Sequence, residues 1–232
     1  MEPTAPRAAS PAAARADFRE ILRLVRPGAR VLDVGCGEGD LLELLEREKG
    51  VDGRGLEISA GGVAACLARG LSVMQGDADR DLAEFPAGQF DYAVLSQTLQ
   101  AVREPRRVLA DLLRLAERAV VSFPNFGHWR VRWALLARGR MPETHALPEP
   151  WWATPNIHLC TLRDFTELCD GLDLRIEAAA ALATDRPARP IDPRRAAENW
   201  RAEQGLFLLS RRRSAVSPAQ RPPVAPSGQL FD

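Results

Sequence analysis

The sequence predicts an α/β fold, a mostly parallel sheet with helices on both faces. Three observations predict it. Apolar runs of strand length alternate with amphipathic helical stretches over most of the chain. The first run, Arg30-Val31-Leu32-Asp33-Val34, is a short strand of the buried type. It leads straight into a glycine turn, Gly35-Cys36-Gly37-Glu38-Gly39, and then a helix.

Taken in order, Phe18, Ile21, Leu22 and Val25 have helical spacing from Asp17 to Val25, and Pro27-Gly28 ends that helix. After the glycine turn, Leu41, Leu42, Leu44 and Leu45 form the buried side of a second helix, closed by Gly50. Gly53 to Ile58 reads as a second strand, Val63 to Arg69 as a helix stopped by Gly70, and Leu71 to Met74 as a third strand. Phe90 to Leu95 is a fourth strand, Pro105 to Arg118 a helix, and Ala119 to Phe123 a fifth strand. Residues 125–157 break the rhythm with four of the five tryptophans, two of the three histidines and four prolines. Helix returns at Leu162 to Asp170, and Leu172 to Ile176 and Leu206 to Ser210 are read as strands six and seven. The sheet is therefore expected to have seven strands, in a domain over 17–210 that includes the 125–157 insert. The Ala/Pro-rich residues 1–16 and the polar, Pro-rich residues 211–232 are expected to be disordered tails.

Composition narrows the function. Lys+Arg and Asp+Glu both number 31, so no cationic excess favours nucleic acid. No run of about 18 apolar residues exists, so no membrane partner is expected. Without an apolar leader segment the reading is a cytoplasmic chain. Basic residues are nearly all arginine (Lys49 is the sole lysine), which fits GC-rich coding and assigns no function. Cys36, Cys66, Cys160 and Cys169 are spaced 30, 94 and 9 residues apart, which matches no zinc pattern, so no metal is expected and the thiols are read as reduced.

Ligands of an open α/β sheet sit beyond the carboxyl ends of its strands. Gly35 and Gly37 let backbone approach a ligand with no Cβ in the way. Glu57 ends the second strand 22 residues after Gly35, where a carboxylate accepts from both ribose hydroxyls. Asp77 and Ala78 end the third strand, where a carboxylate takes an adenine amino proton. The turn lacks the Gly-x-Gly-x-x-Gly spacing of nicotinamide dinucleotide sites. Asp33, just before it, suits a cationic ligand such as the amino and sulfonium groups of S-adenosylmethionine. Ser96 is counted with this cofactor set.

These segments, VLDVGCGEG, GLEIS, QGDAD and FDYAVLSQTLQ, resemble the Rossmann-like class I S-adenosylmethionine-dependent methyltransferase fold. SQTLQAVREP, VVSFPNFGHWRVRWALLARGRMP and TPNIHLCTLRDFTELC resemble, more specifically, the methionine-biosynthesis MetW family, over roughly residues 18–210. The resemblance implies a cofactor site of Asp33, Gly35, Gly37, Glu57, Asp77 and Ala78, holding S-adenosylmethionine or its product S-adenosylhomocysteine. It also implies a role in methionine synthesis beside a homoserine O-acyltransferase, and supplies no methyl acceptor.

Two functions stay open. In one the chain is a partner or regulatory subunit of that acyltransferase; the 125–157 insert is then either a lid over a small substrate or a docking surface carrying Trp129, Arg130, Arg132, Trp133, Arg138 and Arg140, since Trp and Arg are enriched in interface hot spots. In the other it is a methyltransferase acting on a small molecule, where positioning supplies most of the rate. The candidate catalytic groups are then Gln97, after the fourth strand, and His128, after the fifth.

Overall fold

The computed structural model describes residues 15–144, 146–183 and 186–212. The expected tails fall almost wholly outside these residues, as does His145. Among the described residues, secondary structure begins at Ala16 and ends at Arg211, one residue beyond the expected domain at each end.

The first half alternates as expected: α1 (Ala16–Leu24), β1 (Arg30–Val34), α2 (Asp40–Lys49), β2 (Asp52–Glu57), α3 (Ala60–Ala68), β3 (Val73–Gln75), β4 (Phe90–Ser96), α4 (Pro105–Leu115) and β5 (Ala116–Pro124). There follow α5 (Trp129–Arg138), α6 (Leu162–Gly171), β6 (Leu174–Ala183), β7 (Arg186–Pro190), α7 (Ala196–Arg201) and β8 (Gln204–Arg211). The sheet order is β3-β2-β1-β4-β5-β8-β6-β7. The first five of these strands run parallel, while β8 is antiparallel to both β5 and β6.

Among the described residues the sheet has eight strands rather than the expected seven. The extra strand, β7, pairs antiparallel with β6 at the edge. Its sequence, Arg-Pro-Ala-Arg-Pro, hides it, because Pro187 and Pro190 cannot donate to a ladder. An edge position tolerates them, since one side of the strand needs no donors. The sixth strand also starts later and runs longer than read. Leu172 caps α6 and Asp173 turns the chain with φ 53°, so β6 begins at Leu174 and continues through four alanines. Alanine favours helix intrinsically, but here the ladders to β7 and β8 decide.

Each sheet face carries its own core. On one, Phe18, Ile21, Leu41 and Leu45 of α1 and α2 cover Val31, Val94 and Val120. On the other, α4 and α6 cover Leu32, Leu95 and Val121, and Phe123, Phe165 and Phe207 form a ring cluster with centroids 4.6–5.5 Å apart. With both faces covered, the carboxyl edge of β1, β2 and β4 remains the open working edge, at the point where strand order reverses.

Candidate functional site

Asp33 lies on β1 between Gly55 of β2 and Val94 of β4 and is 2% exposed. No described residue donates a hydrogen bond to its carboxyl group. Burial raises its pKa to about 7; Arg15 opposes the rise, while Asp17 and Glu57 add to it.

The glycine turn is tied to the end of β2, with the Gly35 amide donating to the Leu56 carbonyl at 2.7 Å. Gly35 has φ 73°, and a Cβ there would come within 2.6 Å of Thr98 Cγ2. Gly37 has φ 58° and open space where its Cβ would stand. Its amide donates to Glu57 Oε2 at 2.8 Å, and the Ser59 amide donates to Oε1 at 2.8 Å. Glu57 is therefore fixed by backbone from both sides, with acceptor capacity left on each oxygen. The α3 N-terminus packs close because Gly62 lacks a Cβ, which would sit 2.8 Å from the Gly37 carbonyl. That Gly-Gly start explains why the sequence places the helix three residues late.

Gly35, Ile58, Asp77, Ala78 and Thr98 line a cavity of about 230 Å³. Asp77 Oδ1 accepts from the Asp79 amide at 2.9 Å, and Asp79 in turn accepts from the Arg103 and Glu104 amides. The loops after β3 and β4 are thus locked together around the cavity. Ile58 is 65% exposed at its mouth, an apolar face that the sequence reading missed. The structure therefore brings Asp33, Gly35, Gly37, Glu57, Asp77 and Ala78 to one edge.

Ser96 stands apart from that cavity. Its hydroxyl donates to Asp17 Oδ2 at 2.6 Å, and Arg15 Nη2 bonds both groups. Asp17 is buried, which the polar side of an amphipathic helix does not announce. Gln97 has φ 54°, a left-handed value uncommon outside glycine. It lines a second cavity of about 470 Å³ with Gln100, Phe126 and Trp151. Gln100 is buried, and its Oε1 has no hydrogen-bond partner among the described residues. His128 is in neither cavity. It is 5% exposed at the N-cap of α5 and faces a void of about 20 Å³ with Val131, Leu147 and Glu203. Burial lowers its pKa, against Glu203 and with Arg130.

Asn125, another polar group after β5, is fully used in structure. Its Nδ2 donates to the Asn199 and Ala202 carbonyls at 2.9 and 2.7 Å, and its Oδ1 accepts from Gly127 and Leu162. The insert beyond it leaves Trp133, Leu136, Trp151 and Trp152 exposed. Burial also raises the thiols of Cys160 and Cys169 to about 12. Among the described residues no three His, Cys, Asp or Glu side chains gather as a metal site, and no helix is long and apolar enough to cross a membrane.

The chain resembles solved methyltransferases in fold. An S-adenosylmethionine-dependent methyltransferase from Mesorhizobium loti superposes with a TM-score of 0.63 at 21% identity, covering 86% of this chain and 100% of that one. A ubiquinone biosynthesis O-methyltransferase of Hahella chejuensis is 35% identical over 100 residues, 41% of this chain and 42% of that protein. The bifunctional methionine biosynthesis protein MetXA/MetW of Rhodopirellula baltica is 32% identical over 186 residues, 76% of this chain. This chain spans only about 30% of that relative's length. The family model for methionine biosynthesis protein MetW matches residues 15–209, so the chain belongs to the MetW family.

Proposed function

We propose that this chain binds S-adenosylmethionine or S-adenosylhomocysteine at its β1–β2–β3 edge and supports a homoserine O-acyltransferase as partner or regulatory subunit, in the cytoplasm. One observation carries the partner role: a relative joins the names MetXA and MetW in a single protein. The exposed tryptophans of the insert support it.

The residues present fit the cofactor. Asp33 is a buried acid near the end of β1 that accepts no hydrogen bond from a described residue, and it would meet the amino and sulfonium charges. Gly35 and Gly37 hold backbone where side chains would intrude or strain. Glu57 would take the ribose hydroxyls, and Asp77 with Ala78 the adenine edge, with Ile58 against its face. When bound, the cofactor supplies an activated methyl group, or serves as the signal of the pathway's end product. Glu57→Ala is expected to weaken adenosylmethionine binding by about 1–3 kcal/mol, because it strands the Gly37 and Ser59 amides and removes the ribose acceptor. Unchanged calorimetric affinity would remove Glu57 from the site.

The test of function is homoserine acylation by the host acyltransferase with and without this chain, at fixed adenosylmethionine. A raised rate with co-elution is expected; a flat rate with no complex would overturn the partner role. The second reading, a methyltransferase on a small molecule, is favoured by the 470 Å³ cavity beside Gln97. Gln97 would position an acceptor there, whereas His128, at the N-cap of α5, does not line that cavity. Consumption of adenosylmethionine that depends on a cell extract would favour this reading.

A further inference from the structure

We infer that the outward face of α5 is the docking site for the acyltransferase, and that it takes an acidic patch bearing apolar side chains. The inference rests on the partner role proposed above. Of the ten residues of α5, only Val131 is buried. A helix ordinarily owes its stability to burying an apolar face. Here Trp129, Trp133 and Leu136, spaced i, i+4 and i+7, form one stripe and are 42, 61 and 82% exposed.

Charge names the occupant. The chain as a whole has 31 bases and 31 acids, yet residues 129–140 contain four arginines and no acid. Arg132 is used internally, its Nε donating to the Gly127 carbonyl at 2.6 Å. Arg130 lies over the Trp129 ring, 5.4 Å from its centroid. Arg138 and Arg140 have neither an ion pair nor a side-chain hydrogen bond to any described residue. Both line an open cleft of about 910 Å³ between α5 and the segment after it, beside Trp129, Trp133 and Glu143. Among the described residues, Glu143 is the one acid lining that cleft. A small anion would answer the guanidinium groups but leave the stripe in water. A protein surface carrying carboxylates around apolar side chains answers both.

The test uses the full chain and the host acyltransferase, with affinity measured from about 50 to 500 mM salt. The wild-type complex is expected to weaken as salt rises. Arg138→Glu with Arg140→Glu should weaken it at least about tenfold at low salt and flatten the salt dependence. Trp133→Ser should weaken it without changing that dependence. Adenosylmethionine affinity should be unchanged in both variants, which shows that they fold. A complex of wild-type strength in both variants overturns the site and leaves the partner role standing. No complex with the wild-type chain at any salt overturns the partner role and the site with it. Self-association of the chain alone, lost in the same variants, would put a second copy on this face and overturn the assignment.

Discussion

Asp33→Asn is expected to raise the melting temperature at pH 8 and to remove tight adenosylmethionine binding. The sign follows from burial. In the folded chain the Asp33 carboxyl group has a pKa of about 7, against an ordinary value of 3.8. Between those values the folded state holds a proton that the unfolded state has lost, so stability falls as pH rises from about 4 to about 7 and is level above. The ionised, buried carboxylate costs on the order of 4 kcal/mol at pH 8 as an upper bound, at 1.36 kcal/mol per pKa unit. Asn keeps the shape and carries no charge, so it escapes that cost. At pH 4 the two proteins should melt alike. The same charge is what a cationic ligand meets. Wild-type affinity should therefore weaken below about pH 7, where a proton must leave Asp33 first, and the variant should show weak binding with little pH dependence. S-adenosylhomocysteine, lacking the sulfonium charge, should lose less than S-adenosylmethionine. Melting curves at both pH values and calorimetry with both ligands decide it. A variant that melts below wild type at pH 8, or binds as tightly, would remove Asp33 from this role.

The contrast between Asp33 and His128 shows what a sequence of this kind makes legible. Asp33, Glu57 and Asp77 can be found because strand ends are marked: an apolar run stops and an acid or glycine follows. Position along a strand then gives position in space, since all parallel strands end at one edge. Past β5 that link fails. His128 follows a strand end too, but a turn through Asn125 and Gly127 carries it to the N-cap of α5, where it lines neither cavity. Asp17 fails for another reason. It comes from α1, before the sheet begins, and its burial against Ser96 is a contact 79 residues away in sequence. The proline-bearing β7 is invisible to patterning because edge strands are released from the rule that patterning relies on. The exposed α5 is a further case. Its 129/133 spacing predicts a shared face, while only the packing reveals that the chain leaves that face uncovered.

Asn125→Ala is expected to cost about 3 kcal/mol or more, a large share of a typical 5–15 kcal/mol. The side chain is 1% exposed and serves four backbone groups from three segments. Its loss strands the Asn199 and Ala202 carbonyls near α7 and the Gly127 amide before α5. The Leu162 amide at the start of α6 keeps a second acceptor, Asn199 Oδ1 at 3.1 Å, so it suffers least. Asn125→Asp separates polarity from size. A carboxylate still accepts from Gly127 but cannot donate to two carbonyls, and it adds a buried charge, so it should be at least as damaging as Ala. Urea unfolding of both variants measures the effect, and a loss below about 1 kcal/mol in both would show that the network is dispensable. The expected loss has a functional consequence. Asn125 fixes the point at which the chain leaves β5 for α5, and so the direction in which the stripe of Trp129, Trp133 and Leu136 faces. Binding to the acyltransferase should therefore weaken in Asn125→Ala even at temperatures where the sheet is intact, while adenosylmethionine affinity, set by β1, β2 and β3, should hold.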